Sequence, residues 1–206
     1  MPNWCNNTLE LAHEDPAMLE RARVAFNEGK LCNEFVPVPE SLHIVAGCVG
    51  DPDEQKKLEE DTARNIEVHG YGNWYDYCVN EWGTKWDVGG DGMTAELENG
   101  QLVMSFDSAW SPPVAFYEKM LDLGFEVRAY YYEGGMNFAG VWDNGDDDFY
   151  ELEGSSEAVR EQIPEVLDEM FCISENMEMW EEENLEIDLD GGLSAVNEQE
   201  NDNGTK

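Results

Sequence analysis

The residues whose types and spacing could do chemistry gather first in NEWGTKWDV, Asn80 to Val88, where Trp82 and Trp86 enclose Gly83, Thr84 and Lys85, with Asp87 directly after. Two indoles beside a cation and a carboxylate can line a pocket or a partner surface: the rings offer apolar area and a negative π-face, and the charges orient a polar group. If the first strand and the turn after a later hairpin meet this motif at one end of a sheet, Trp4, Trp82, Lys85, Trp86, Asp87 and Trp110 form one cluster. Packing accounts for the same residues, with tryptophans filling a junction, Gly83 supplying a permissive backbone angle, and Lys85 or Asp87 bonding to nearby backbone or to each other. The sequence leaves both readings open.

Catalysis has less support. Asp87 with Asp107, or Cys5 with His13, could pair as acid and base or as nucleophile and base, yet spacing favours neither, and an acid-rich chain yields carboxylate pairs by chance. No P-loop, Rossmann glycine fingerprint or G-x-S-x-G elbow is present. The five cysteines form no C-x-x-C pair, and His13, His43 and His69 never fall four residues from a cysteine or from each other. The expectation is a protein that is not an enzyme, with no metal and no cofactor.

Charge is the strongest compositional signal. Forty-seven acidic residues against 11 basic ones give a net charge of −36, a field that repels nucleic acid and anionic membranes and attracts basic partners. From Asn144 to Glu200 there are 20 carboxylates and one base, Arg160. Charge density alone nominates Asp146, Asp147, Asp148, Glu178, Glu181, Glu182 and Glu183 as partner contacts. A solvated face, or adaptation to brine, is the plainer explanation of such a run. Concentration of the acid at one end of the chain argues against brine.

No apolar run approaches the roughly 20 residues of a membrane span, and MPNWCNNTLELAHED lacks the layout of a signal peptide. Scattered, odd-numbered cysteines suit a reducing compartment. The expected location is the cytoplasm.

The elements that must position these residues are legible from periodicity. Asn3 to Leu11 reads as a strand with Trp4, Leu9 and Leu11 available for burial. HEDPAMLERARVAFNEGK reads as a helix capped by Asp15, opened by Pro16 and closed by Gly29. LCNEFVPVPESL reads as extended and Pro-punctuated, and helix-like runs follow at Asp51–His69 and Tyr71–Trp82. A hairpin turns at Asn99-Gly100. Ser111 and Pro112-Pro113 open another helix, FEVRAYYYE is a strand, and a second hairpin turns at Asn144-Gly145. The acidic helix that follows carries an apolar stripe at Val159, Ile163, Val166, Leu167, Met170 and Phe171, with a kink at Pro164.

This β-α, insertion, β-β-α-β order predicts an α+β, ferredoxin-like split βαβ sandwich with a helical insertion and an acidic C-terminal hairpin-plus-helix extension. The predicted boundaries are a core over 1–135 with its insertion near 43–90, the acidic extension over 136–196, and a disordered tail over 197–206.

MPNWCNN, WGTKWDV, FDSAWSPP and YYYEGGMNFAG, in that order, resemble the YubB-type ferredoxin-like family of plasmid and phage proteins over roughly residues 1–142. The resemblance implies a ferredoxin-like domain and origin on a mobile element, and brings no catalytic activity with it. Together with the charge it leads to an expected function: a counter-defence protein that mimics the charge of nucleic acid and blocks a basic nucleic-acid-binding host protein of the restriction or CRISPR type. An acidic chaperone or assembly factor for a basic partner, and a small-molecule-binding domain using the Trp-rich pocket, remain as alternatives.

Overall fold

The computed structural model describes residues 3–183. The expected tail over 197–206, and the end of the acidic extension from 184, lie outside the described residues. The chain divides into two compact units, one ending at Glu151 and the other beginning at Leu152.

The first unit is α+β. Strands β1 (Trp4–Ala12), β2 (Thr94–Glu98), β3 (Gln101–Ala109), β4 (Glu126–Glu133), β5 (Phe138–Asp143) and β6 (Asp146–Glu151) form one antiparallel sheet in the order β2-β3-β1-β4-β5-β6. The two hairpins turn where expected, with Asn99 and Asn144 at φ 52° and 50°, each followed by a glycine at positive φ. The second hairpin pairs with β4 and extends the sheet, so the division falls after β6, whereas the sequence boundary at 135/136 precedes β5.

Helix α1 (Pro16–Asn27) is capped by the Asp15 carboxylate, which accepts from Ala17 N, and the chain leaves it through Gly29 at φ 71°. Its Leu19, Ala22 and Phe26 pack with Leu9 and Leu11 of β1, Leu102, Met104 and Phe106 of β3, and Val127 and Ala129 of β4. Helix α5 (Val114–Asp122) adds Phe116, Tyr117 and Met120 to the same core. Both helices therefore cover one face of the sheet, and alternate strand residues point to the other.

Between β1 and β2 the chain forms α2 (Leu31–Phe35), a 3-10 turn at Glu40–Leu42, α3 (Pro52–His69) and α4 (Trp74–Glu81). Asp51 and Asn73 cap the starts of α3 and α4 with their side chains. The second unit contains α6 (Ser156–Gln162), α7 (Glu165–Phe171) and a helical run over 173–183. The break between α6 and α7 falls at Ile163-Pro164, where the ring removes a backbone donor.

Four expectations need correction. Trp4 is 47% exposed, because with a period of two it shares a face with Asn6 and Thr8, opposite Leu9 and Leu11. Residues 31–35, expected to be extended, are the helix α2, whose first amides find a distant acceptor in Asp87. Ser111 does not cap α5; its hydroxyl donates to the Gly83 carbonyl at 2.9 Å. Val166 leaves the apolar stripe and is exposed, while Val159, Ile163 and Leu167 are buried.

Gly89 passes against α1 so closely that a Cβ there would collide with the Phe26 carbonyl, and its φ is +102°. Gly89→Ala should therefore destabilise the protein by about 3 kcal/mol or more, read as a lower urea midpoint, while Gly92→Ala, in open space, should cost clearly less.

Candidate functional site

The 82–88 motif is divided between fold and surface. Trp82 is buried and donates its indole N–H to the Val36 carbonyl at 2.8 Å. Gly83 has φ +83° and sits against the backbone of Pro113, Val114 and Ala115, where a side chain would crowd the start of α5. The Thr84 hydroxyl accepts from Ala109 N at 3.1 Å at the end of β3.

Asp87 accepts from the backbone N–H of Cys32 at 2.7 Å, of Asn33 at 2.9 Å and of Val88 at 2.9 Å. Burial raises its pKa above the usual carboxylate value, and these three bonds oppose the rise. Trp82, Gly83, Thr84 and Asp87 thus build the fold.

The other residues of the predicted cluster do come together. Trp86 lies 5.9 Å from Trp4, ring centroid to centroid. The Lys85 ammonium stands 4.6 Å from the Trp86 centroid, 5.5 Å from Trp110 and 5.6 Å from Tyr75, distances at which a cation is drawn to a π-face. All three indoles remain 39–47% exposed. Trp110 holds its ring there at φ +69°, a region that costs a bulky residue about 1–3 kcal/mol. Tyr75 was not foreseen; nothing in its local spacing distinguishes it from the other aromatic residues of α4.

Lys85 and Trp86 of this cluster also border a cleft of about 420 Å³, whose lining includes Trp74, Trp82, Lys30 and His43. Lys30, Trp74 and His43 were also missed, because they come from three separated segments.

The catalytic pairs do not form. Cys5 and His13 lie at opposite ends of β1, about 25 Å apart at the rise of a strand. Asp87 faces α2, and Asp107 accepts from the Asn6 amide at 2.7 Å.

The seven acidic candidates are divided between the two units. Asp146, Asp147 and Asp148 are exposed on β6, although Asp147 accepts from the Tyr131 hydroxyl at 2.7 Å. In the second unit Glu181 caps α6, accepting from Ser156 N and Oγ, both at 2.8 Å, and so holds its own unit together. Glu178 lies 3.6 Å from Arg160. Glu182 and Glu183 are exposed.

One acidic array was not foreseen. Across the sheet face opposite α1 and α5, the register aligns Glu96, Val103, Glu10, Arg128, Asp143 and Asp146 in a single row. Glu98, Glu126, Asp107 and Asp148 share that face. Arg128 is its one base, and Asp143 engages it at 2.5 Å. The signal was hidden because the row is assembled from six strands.

No family model matches the chain, and no curated protein matches it. Among solved structures it is similar to the crystal structure of protein api92 from Yersinia pseudotuberculosis, of family DUF1281, at 11% identity over 75% of this chain and 99% of that one. The TM-score is 0.41, too low for the likeness to bear on fold or function.

Burial pushes the thiols of Cys5 and Cys78 up to about 12 and that of Cys32 well above its ordinary value. Cys48 and Cys172 are exposed. Titration with Ellman's reagent at pH 8 should find those two thiols reactive in the native protein and the other three only after denaturation. Because the Cys5 and Cys78 values are raised on folding, their linked stability is intact below about pH 9 and falls as pH climbs from there toward 12. Replacing both with alanine should flatten that fall in urea midpoints taken from pH 8 to 11.

Proposed function

We propose that this protein is a non-enzymatic, acidic binding protein of the host cytoplasm that occupies the nucleic-acid-binding surface of a basic partner. The observation that carries this reading is the carboxylate array on the sheet face opposite α1 and α5. Neighbouring strands lie about 4.8 Å apart and same-face residues recur about every 7 Å along a strand, so the carboxylates of this face are held at fixed spacings on a stiff lattice of strands. Such a lattice offers a basic groove the field that phosphates would offer, and it steers association in the same way.

A second support is that the chain leaves its acid largely unneutralised. Every ion pair formed by the described bases draws on a total of 11 Lys and Arg against 47 acidic residues. Exposed Glu126, Asp146 and Asp148 on the sheet face carry this reading better than Glu178 or Glu181, which have internal partners.

What supports a ferredoxin-like core is the order β2-β3-β1-β4 together with the chain order β1-α1-β2-β3-α5-β4. What supports a YubB-type relative is that its first three motifs meet at one end of the sheet, while the fourth pairs with the first through Asn6 and Tyr132. Asn7 bonds to Ser108, Ser111 to Gly83, and Asn3 accepts from Trp110 N. A role against host restriction or CRISPR enzymes rests on that resemblance and on the charge.

The test is a pull-down from bacterial lysate with the full chain, washed at low and high salt and challenged with duplex DNA. A basic nucleic-acid-handling protein, displaced by DNA and by salt, is the expected capture. The triple variant Glu126→Gln, Asp146→Asn, Asp148→Asn should weaken that capture by about tenfold or more and flatten its salt dependence. Glu59→Gln, Glu60→Gln, Glu67→Gln on α3 removes the same charge and should leave it nearly unchanged. Equal loss from both variants would sink the assignment to the sheet face.

A further inference from the structure

We propose that the cleft beside Lys85 binds a small ligand that joins a planar aromatic ring to an anionic group, a nucleoside monophosphate being its representative. This is independent of the acidic sheet face.

The volume of about 420 Å³ falls within the roughly 300–1,000 Å³ of small-ligand sites. Trp74, Trp82 and Trp86 supply its aromatic lining. The Trp86 ring is 39% exposed and backed by Trp4, so it presents a supported surface for stacking, as aromatic side chains do for single bases.

The cations point to an anion. Only 11 Lys and Arg and three His exist in the chain, yet Lys30, Lys85 and His43 share this cleft. Among the described residues Lys30 pairs with exposed Glu28, at 3.4 Å. Lys85 makes no ion pair among the described residues; its ammonium is surrounded by Tyr75, Trp86 and Trp110. Those rings attract the charge but give its three N–H donors no anionic oxygen.

Of the two carboxylates in the lining, Asp87 spends both oxygens on the backbone N–H groups of Cys32, Asn33 and Val88. Glu40, which is exposed, is the other. An incoming phosphate or carboxylate would complete Lys85 while its ring stacked on the indoles.

Size is set by the field of the whole chain. A net charge of −36 opposes each added phosphate, so the site admits one or two negative charges and rejects a polymer.

The experiment uses the full chain, with tryptophan fluorescence and indole N–H resonances as readouts. Adenosine and uridine 5′-monophosphate are titrated beside adenosine, uridine, inorganic phosphate and a 20-residue single-stranded DNA. The monophosphates should saturate with an affinity about tenfold or more above nucleoside or phosphate alone, and the DNA should not bind at physiological salt. Lys85→Gln should lower monophosphate affinity to the nucleoside level, and Lys30→Gln, on a more exposed residue, should lower it several-fold. Lys57→Gln on α3 should not change it. No shift with millimolar monophosphate, phosphate binding as well as the nucleotide, or equal affinity in the wild type and both cleft variants would overturn the proposal.

Discussion

The buried amide of Asn7 ties together the parts on which the rest of the first unit depends. Its nitrogen donates to the Cys5 carbonyl at 2.7 Å and to Ser108 Oγ at 2.9 Å, and its oxygen accepts from the Tyr117 hydroxyl at 3.3 Å. Ser108 in turn donates to the Ser111 carbonyl at 2.7 Å. One side chain thus links β1, β3, the turn into α5 and α5 itself. A buried amide left without partners would cost about 1–3 kcal/mol per lost bond, so these elements hold one another in register. Thr84 and Gly83 then dock the 82–88 segment against the same turn.

That junction explains why two surfaces of opposite character coexist. The face of the sheet under α1 and α5 is filled by the core, and the carboxylates collect among the alternate residues of the same strands, on the opposite face. The sheet end, by contrast, is crowded with backbone turns whose polar groups are already satisfied. Lys85, Trp86, Trp110 and Trp4 project from it as an aromatic and cationic patch. An acidic lattice and a cationic cleft on one unit can serve different ligands, because each is organised by a different part of the backbone.

Much of the fold was legible along the chain. Asp15-Pro16 and Gly29 bound α1, and Asn99-Gly100 and Asn144-Gly145 turn the hairpins, since each signal acts within a few residues of itself. Trp4 misled because strand parity, not hydrophobicity, decides its face. Residues 31–35 misled because their helix is capped by Asp87, 55 residues away from Cys32. Of the six residues of the predicted cluster, Trp4, Lys85, Trp86 and Trp110 come together, whereas Trp82 and Asp87 spend their polar groups on the scaffold.

The sequence by itself determined the acidity, the order of the elements, the turns and the motifs that had to be weighed. These depend on composition and on neighbours a few residues apart. Only the tertiary structure decided that Glu181 serves its own helix, that Glu10, Arg128, Asp143 and Asp146 stand in one row, and that Lys30 and His43 border the cleft with Lys85. Strand register and loop docking bring together residues far apart in the chain, and those pairings are settled by burial and hydrogen bonding across the whole unit rather than by any local pattern.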